Sequence, residues 1–190
     1  MPHKTDALLD PAAAIAFIEG YKRFLLTAAT GHRAGEGGLL ETLVDARSRI
    51  TKDPALLSDT LAKARTLRPG LGDPLLQAIG TLRVENWIYL KDTRSYAVFM
   101  DSTGEFAFGV RALTQRIRDV VGTSGVLLET GIIRYRGQYV CDGLVSGVVQ
   151  WYRRTGLFTS YVPTGAGYFL SPKSAVNPIG RRLGDGGFMS

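Results

Sequence analysis

Cysteine and histidine are scarce in this sequence of 190 residues, and their scarcity excludes several kinds of site. The single cysteine, Cys141, allows no intramolecular disulfide and no zinc site built from several cysteines. The two histidines, His3 and His32, both fall in loop-like N-terminal sequence, so a Ser-His-Asp or Cys-His arrangement would depend on one of them. Because no histidine lies near Cys141 in the sequence to lower the pKa of its thiol, we predict a free structural cysteine that fills a small apolar space in a sheet.

Long apolar runs and phosphate-binding loops are also missing. No run approaches the roughly 20 apolar residues that span a bilayer, and residues 1–6 lack the charged and apolar regions of a signal peptide. We therefore predict a cytoplasmic protein that does not contact a membrane. The glycine-rich stretches 31–38 and 180–187 lack the lysine and the spacing of a phosphate-binding loop, and no motif in the sequence predicts a cofactor.

Asp-Pro pairs at residues 10–11, 53–54 and 73–74 punctuate the first half of the chain. Asp accepts hydrogen bonds from the free N–H groups of a first helical turn, and Pro in that turn loses no hydrogen bond, so each pair predicts a helix start. With apolar spacings of three and four, they predict helices over 12–29, 39–50, 54–67 and 74–79, making residues 1–80 a helical segment. The predicted buried face of the first helix comprises Ile15, Ile18, Tyr21, Leu25 and Ala28.

Short segments rich in β-branched and aromatic residues replace this pattern from about Thr81 onward. Polar or glycine-containing turns separate them, which favours antiparallel strands with tight connections. The predicted strands cover residues 84–90, 96–100, 105–110, 126–135 and 138–146. The expected fold is α+β, with the N-terminal helical segment packed on an antiparallel β-meander or small open barrel. We expect residues 81–170 to form this β-rich segment in one compact domain with residues 1–80, and residues 171–190 to be an irregular tail. The predicted core residues of the sheet are Trp87, Ile88, Tyr96, Val98, Phe106, Leu127, Ile133, Val140 and Leu144.

Positive charge and aromatic side chains gather in the second half of the chain. Residues 83–190 carry 13 Lys and Arg against 8 Asp and Glu, whereas residues 1–82 carry 10 against 9. Arginine suits bidentate contact with phosphate, and flat rings suit stacking on exposed bases. The candidate nucleic-acid-binding residues are Arg134, Arg136, Tyr139, Trp151, Arg153 and Arg154. The alternative interpretation is a sheet with one aromatic core face and one solvated arginine face.

A set of carboxylates is the second candidate site, comprising Asp92, Asp101, Glu105, Glu129 and Asp142. Paired carboxylates can perform acid–base catalysis or hold Mg²⁺. Their spacing selects no metal, however, and an Asp in a turn is expected to bond its own backbone. We predict that Asp142 and Gly143 form a turn or bulge pair, and we assign no metal ligand and no catalytic residue.

The leading hypothesis from these patterns is a non-enzymatic binding protein that contacts nucleic acid or another acidic partner through its basic C-terminal half. The alternative is a protein-interaction or assembly subunit that binds a protein partner or a second copy of itself. A metal-dependent hydrolase or nuclease is the third hypothesis. The salt dependence of binding distinguishes the first two hypotheses, because phosphate contacts weaken steeply as the salt concentration rises whereas an apolar interface does not.

Overall fold

Helices occupy the first half of the described chain and strands occupy the second. The computed structural model describes residues 7–30, 38–67 and 69–150 and the strand 168–169, with the backbone alone for 148–150 and 168–169. Because the N-terminal helices precede an antiparallel sheet, the predicted α+β class is confirmed. The predicted irregular tail, 171–190, lies outside the described residues.

The helical half follows the predicted Asp-Pro punctuation closely. Its helices are α1 Pro11–Ala29, α2 Gly38–Lys52, α3 Pro54–Thr66 and α4 Asp73–Ile79. The Asp10 carboxylate accepts from the backbone N of Ala13 at 3.1 Å, and Asp53 caps α3 in the same way, so these two starts are confirmed. The third pair also starts a helix, since α4 begins at Asp73, but Asp73 is its first helical residue and Gly72 occupies the cap position, so the predicted capping role of Asp73 is wrong.

The strands form one sheet in the order β3-β2-β1-β4-β5-β6, and every neighbouring pair is antiparallel. Their bounds are β1 Arg83–Asp92, β2 Ala97–Met100, β3 Ala107–Val110, β4 Val126–Tyr135, β5 Gln138–Gln150 and β6 Tyr168–Phe169. A short helix, α5 Ile117–Val121, lies between β3 and β4. The predicted β4–β5 hairpin turns at Arg136 and Gly137, whose φ angles of 51° and 75° are the left-handed pair that two-residue hairpins favour.

The sheet curls, so that the end of β3 meets the start of β5. The backbone N of Arg111, just after β3, donates to the Tyr139 carbonyl at 2.8 Å. The backbone N of Cys141 donates in turn to the Arg111 carbonyl at 3.0 Å. This parallel bridge gives the sheet a concave inner face, and its outer face packs on the helices.

Each face of the sheet carries its own apolar cluster, because successive strand residues point to opposite faces. On β4, Ile133 and Tyr135 pack with the helices, and the ring centroids of Phe17 and Tyr135 are 5.2 Å apart. Leu128 and Ile132 instead belong to the cluster on the concave face. The hairpin is therefore covered on one face by helices and faces the concavity on the other.

Of the nine residues predicted to form the core of the sheet, five are buried, two are partly buried and two are exposed. Trp87, Ile88, Ile133, Val140 and Leu144 are buried, and Val98 and Leu127 are partly buried. Tyr96 and Phe106 are exposed by 44% and 69%, because both lie in the turns that flank β2 and β3. Ile15 is also exposed, by 49%, since it lies two residues before buried Phe17 and so points to the opposite side of α1.

Candidate functional site

The open end of the concave face contains a cavity of about 670 Å³, called here the mouth pocket. It is lined by Thr81, Arg83, Trp87, Asp101, Phe106, Ala107, Phe108, Ile132, Arg134 and Tyr139. Cavities of roughly 300–1,000 Å³ are typical of ligand sites, and the mouths of β-barrels are among the common places for them. Most of its lining is apolar or aromatic, with two arginines and one carboxylate.

Strand register brings the arginines and the rings of the mouth pocket together. Arg83 and Trp87 lie four residues apart on β1, and Ile132 and Arg134 lie two apart on β4, so each pair shares the concave face of its strand. In the sheet, Arg83 is paired with Ile132, and Arg134 is paired with Tyr139. Neighbouring strand ends therefore present two cations and a ring at one edge of the cavity.

Three aromatic side chains of the mouth pocket form a connected wall. The ring centroids of Trp87 and Phe108 are 5.3 Å apart, and those of Phe108 and Tyr139 are 5.5 Å apart, both with edge-on geometry. The Arg83 guanidinium lies over the Trp87 ring at 5.7 Å. Trp87 is thus only 3% exposed, whereas Tyr139 is exposed by 49%. Tyr139 is the ring of this wall that a ligand can reach most easily, and Phe106, which lines the same cavity, is also exposed.

The two arginines of the mouth pocket differ in whether they already form an ion pair. Arg83 pairs with Glu85 at 2.7 Å, in an exposed ion pair of the kind that contributes little stability. The Arg134 side chain is exposed and forms no hydrogen bond or ion pair with the residues that the structure describes. It is therefore the cation of the cavity that is most available to an anionic ligand.

Asp101 fixes the turn that carries Phe106. Its carboxylate accepts from the Thr103 hydroxyl at 2.7 Å and from the backbone N of Glu105 and of Phe106 at 3.0 and 3.1 Å. The hydrogen bond from Thr103, followed by those from the backbone, lowers the pKa of the Asp101 carboxyl below its ordinary value. Asp101 consequently stays ionised at neutral pH and holds the base of the Phe106 side chain in place.

The sequence-predicted site residues are only partly brought together. Arg134 and Tyr139 line the mouth pocket. Arg136 occupies the hairpin turn, and its guanidinium lies 5.3 Å from the centre of the Tyr135 ring, away from the pocket lining. Trp151, Arg153 and Arg154 lie outside the described residues. Arg83 and Phe108 also line the pocket, but the sequence did not identify them as site residues. Each lies near the end of its strand and on the same face as Trp87, and a single sequence does not show that these strands are close together.

No protein-family model, curated protein or solved structure matches this chain. Among the helices of the described residues, none is long and apolar enough to cross a membrane. Within that same part of the chain, no group of three or more His, Cys, Asp or Glu side chains is placed to hold a metal ion.

A second polar feature, the buried cluster, lies between the helices and the sheet around Arg47 and Asp142. The two side chains are 1% and 0% exposed, and Arg47 Nη1 lies 3.3 Å from Asp142 Oδ2. Arg47 Nη1 also donates to the Leu144 carbonyl at 2.6 Å, and Nη2 donates to Glu129 at 3.2 Å. Burial alone would lower the pKa of Arg47, but the Asp142 carboxylate raises it, so the guanidinium stays charged.

Asp142 organises the backbone on both strands of the hairpin. It accepts from the backbone N of Gly131 at 3.2 Å and of Leu144 at 2.9 Å, and from the Tyr21 hydroxyl at 3.2 Å. Burial, followed by the Asp142 carboxylate, raises the pKa of Tyr21, so Tyr21 keeps its proton and donates. A Cβ on Gly131 would overlap the Asp142 carboxylate, so a glycine is required opposite it.

The prediction for Asp142 and Gly143 is thus half correct. A register shift between β4 and β5 marks a bulge at this point, and Gly143 has a φ of 86°, as expected of a bulge. The Asp142 side chain, however, is fully buried in an ion pair and is not a surface turn carboxylate. Of the five carboxylates considered together, Glu129 and Asp142 meet at Arg47, whereas Asp101 lies in the β2–β3 turn.

Cys141 is free and fully buried, so its prediction as a structural residue inside the sheet is confirmed. Its Sγ lies 3.2 Å from the Thr130 hydroxyl. Burial raises the pKa of the Cys141 thiol to about 11. Since the thiolate is the reactive form, Cys141 is poorly suited to act as a nucleophile near neutral pH.

Proposed function

We propose that this protein is a non-enzymatic binding protein that contacts nucleic acid through the mouth pocket. The observation that supports the proposal most directly is that Arg134, unpaired among the described residues, shares a cavity with the exposed rings of Phe106 and Tyr139. Nucleic-acid binding needs cations for phosphates and flat rings for base faces. A cytoplasmic location is part of the proposal, because a lone unpaired cysteine suits a reducing compartment.

Charge distribution supports an acidic partner for the C-terminal half of the chain. The net positive charge resides mostly in residues 83–190, where Lys and Arg outnumber Asp and Glu by 13 to 8, and most of that excess falls in the sequence of residues 151–190. Arginine presents a planar fork of donors that matches phosphate oxygens, and Arg134 has no competing acceptor among the described residues. Glu85 neutralises Arg83 only through an exposed contact, which a phosphate can replace at little cost.

The experiment is a titration of fluorescein-labelled DNA and RNA oligonucleotides with the protein, followed by fluorescence anisotropy at several salt concentrations. We expect binding that weakens linearly in a plot of log affinity against log salt. Arg134→Ala should weaken binding for all sequences and reduce the slope by about one. Arg65→Ala, at an exposed position on α3, is the matched control and should leave the slope unchanged. Absence of binding by the wild type at low salt would disprove the proposal.

A second candidate function, protein interaction or assembly, is favoured by a different observation. Large apolar side chains are exposed on the helices, with Ile15, Leu26 and Leu39 exposed by 49%, 38% and 56%. Ile15 and Leu26 lie eleven residues apart on α1, which is about three helical turns, so both are exposed on one side of that helix, where apolar side chains can mark a protein interface. Self-association that persists at high salt and is abolished by Ile15→Glu or Leu39→Glu, measured by sedimentation velocity, would favour this function.

A further inference from the structure

We infer that the mouth pocket receives an unpaired base of a single-stranded nucleic acid, with Tyr139 and Phe106 contacting the base and Arg134 contacting the adjoining phosphate. This inference rests on the proposed function and specifies which form of nucleic acid is bound. Its starting point is the shape of the site. The rings line a cavity of about 670 Å³ rather than a flat or convex surface.

Concavity favours an unpaired base over a duplex. In a double helix each base is stacked on both faces, and only its edges are open to a protein. A base in a single strand can leave the stack and enter a cavity, where it stacks on aromatic side chains. Because the accessible rings of Phe106 and Tyr139 are pocket-lining residues, a duplex held outside could not bring base faces to them.

The pairing of the strands places a cation beside a ring. Arg134 at the end of β4 is the direct partner of Tyr139 at the start of β5. Side chains of directly paired strand residues have Cβ atoms about 4.5–5.5 Å apart. A base on Tyr139 would therefore keep its own or the next phosphate within reach of the Arg134 guanidinium.

Asp101 makes one side of the pocket negatively charged, whereas Arg134 and Arg83 make the other side positively charged. Asp101 directly follows β2, whereas Arg134 is the penultimate residue of β4, and β1 lies between these two strands in the sheet. An ionised carboxylate repels phosphate, so the phosphate is expected on the side of Arg134 and Arg83. The backbone hydrogen bonds of Asp101 also fix the position from which the Phe106 side chain extends, which reduces the entropy lost when a base binds.

The test compares ligands that carry similar numbers of phosphates. A ten-residue thymidine strand, a strand of ten abasic nucleotides and a ten-nucleotide duplex of five base pairs, closed by a non-nucleotide linker so that it has no unpaired base, compete with a labelled thymidine strand for the full-length protein at low salt. A thymidine mononucleotide and poly-glutamate are added as further competitors. We expect the thymidine strand to bind at least about tenfold more tightly than each of the others. Only this strand combines unpaired bases, which can stack on a ring, with several consecutive phosphates.

Variants at position 139 test whether that preference depends on the Tyr139 ring. Tyr139→Ala should weaken binding of the thymidine strand by about 5- to 150-fold, the range expected for one lost base–ring stack, and should leave abasic binding nearly unchanged. Tyr139→Phe keeps the ring and should restore most of the affinity. Tyr96→Ala is the matched control, since Tyr96 is 44% exposed but is not among the pocket-lining residues. Thermal unfolding of each variant, followed by circular dichroism, checks that it is folded.

The outcomes separate this inference from the proposed function. Equal binding of duplex and single strand, or of abasic and thymidine strands, would overturn the inference and leave nucleic-acid binding in place. A mononucleotide as effective as the strand would also overturn it, in favour of a small-ligand site. Equal competition by poly-glutamate would overturn it in favour of an acidic protein partner. No binding of any nucleic acid at low salt would overturn both the inference and the proposed function.

Discussion

Replacing Arg47 by Met tests the buried cluster most directly. Met keeps the length and the apolar character of the arginine stem but removes the charge. In the folded protein this leaves Asp142, which is 0% exposed, without its cationic partner. Removing one member of a buried ion pair typically costs about 3–5 kcal/mol, because an uncompensated charge remains in the interior. We expect a loss of that size in the free energy of unfolding at pH 7.

The effect of a second substitution on this variant gives the sharper result. Asn at position 142 keeps an oxygen that can accept from the backbone N of Gly131 and of Leu144 but carries no charge. Arg47→Met with Asp142→Asn should therefore be more stable than Arg47→Met alone. Asp142→Ala should be the least tolerated change, because it leaves those two N–H groups without an acceptor and Arg47 without its buried anionic partner.

The same reasoning predicts a pH dependence. Burial raises the pKa of the Asp142 carboxyl and Arg47 opposes that shift, so removal of Arg47 should raise the pKa further. A carboxyl whose pKa is higher in the folded state than the unfolded value of about 3.9 binds a proton more tightly when folded. Its contribution to stability is greatest at low pH and is lost as the pH rises through the folded pKa. The stability deficit of Arg47→Met relative to wild type should therefore shrink between pH 8 and pH 5.

The measurement is urea-induced unfolding followed by circular dichroism, with free energies from linear extrapolation. Arg65→Met, at an exposed helical position, is the control and should change stability by less than about 0.5 kcal/mol. A loss below about 1 kcal/mol for Arg47→Met, or additivity between Arg47→Met and Asp142→Asn, would refute the reasoning. Either result would mean that water or a rearranged neighbour satisfies Asp142.

The remaining predictions concern packing around the same hairpin. Gly131→Ala should lower the free energy of unfolding by about 1–3 kcal/mol in urea titrations, because the added Cβ overlaps the Asp142 carboxylate; an unchanged midpoint would contradict this. Ile133→Ala should cost about 2–5 kcal/mol in the same assay, since Ile133 is fully buried. The Cys141 thiol should react with a disulfide reagent at pH 8 only when the protein unfolds, and rapid native-state reaction would show that it is accessible. Because burial raises the pKa of Cys141 from 9.0 to about 11, its contribution to stability should be present below pH 9 and be lost as the pH rises to 11.

Local signals explain why the elements were predictable from the sequence. An Asp cap followed by Pro acts within one helical turn, so the starts of α1 and α3 could be read from four residues each. The β4–β5 hairpin is equally local, since Gly137 permits the left-handed turn that Arg136 begins. Strand segments of β-branched and aromatic residues likewise agree with the observed bounds to within a few residues.

Properties that depend on distant residues were not predictable in the same way. Phe106 is as apolar as Phe99, yet Phe106 is 69% exposed and Phe99 is fully buried, because only Phe106 lies in the turn at the open end of the curled sheet. Asp142 resembles a turn residue in sequence, and its partner Arg47 is 95 residues away. The mouth pocket depends in the same way on the register that sets Arg83 opposite Ile132. A single sequence shows the alternation of apolar and polar residues along a strand, but it does not show which strand pairs with it or in which register.

The residues of the β4–β5 hairpin that stabilise the fold differ from those proposed to bind nucleic acid, and the two groups lie at different positions along the hairpin. The buried cluster holds the bulge around Asp142, whereas the pocket uses Arg134 and Tyr139 near the hairpin turn. The Tyr139 ring is half exposed and packs edge-on against Phe108, a contact worth about 0.5–1.5 kcal/mol, so Tyr139→Ala should reduce binding at a cost in stability of about that size. Arg47→Met should do the reverse, because Arg47 does not line the pocket, provided that binding is measured well below the unfolding midpoint. If Arg47→Met instead abolished binding while the protein remained folded, the bulge would be setting the geometry of the pocket, and the two features could not be treated as independent.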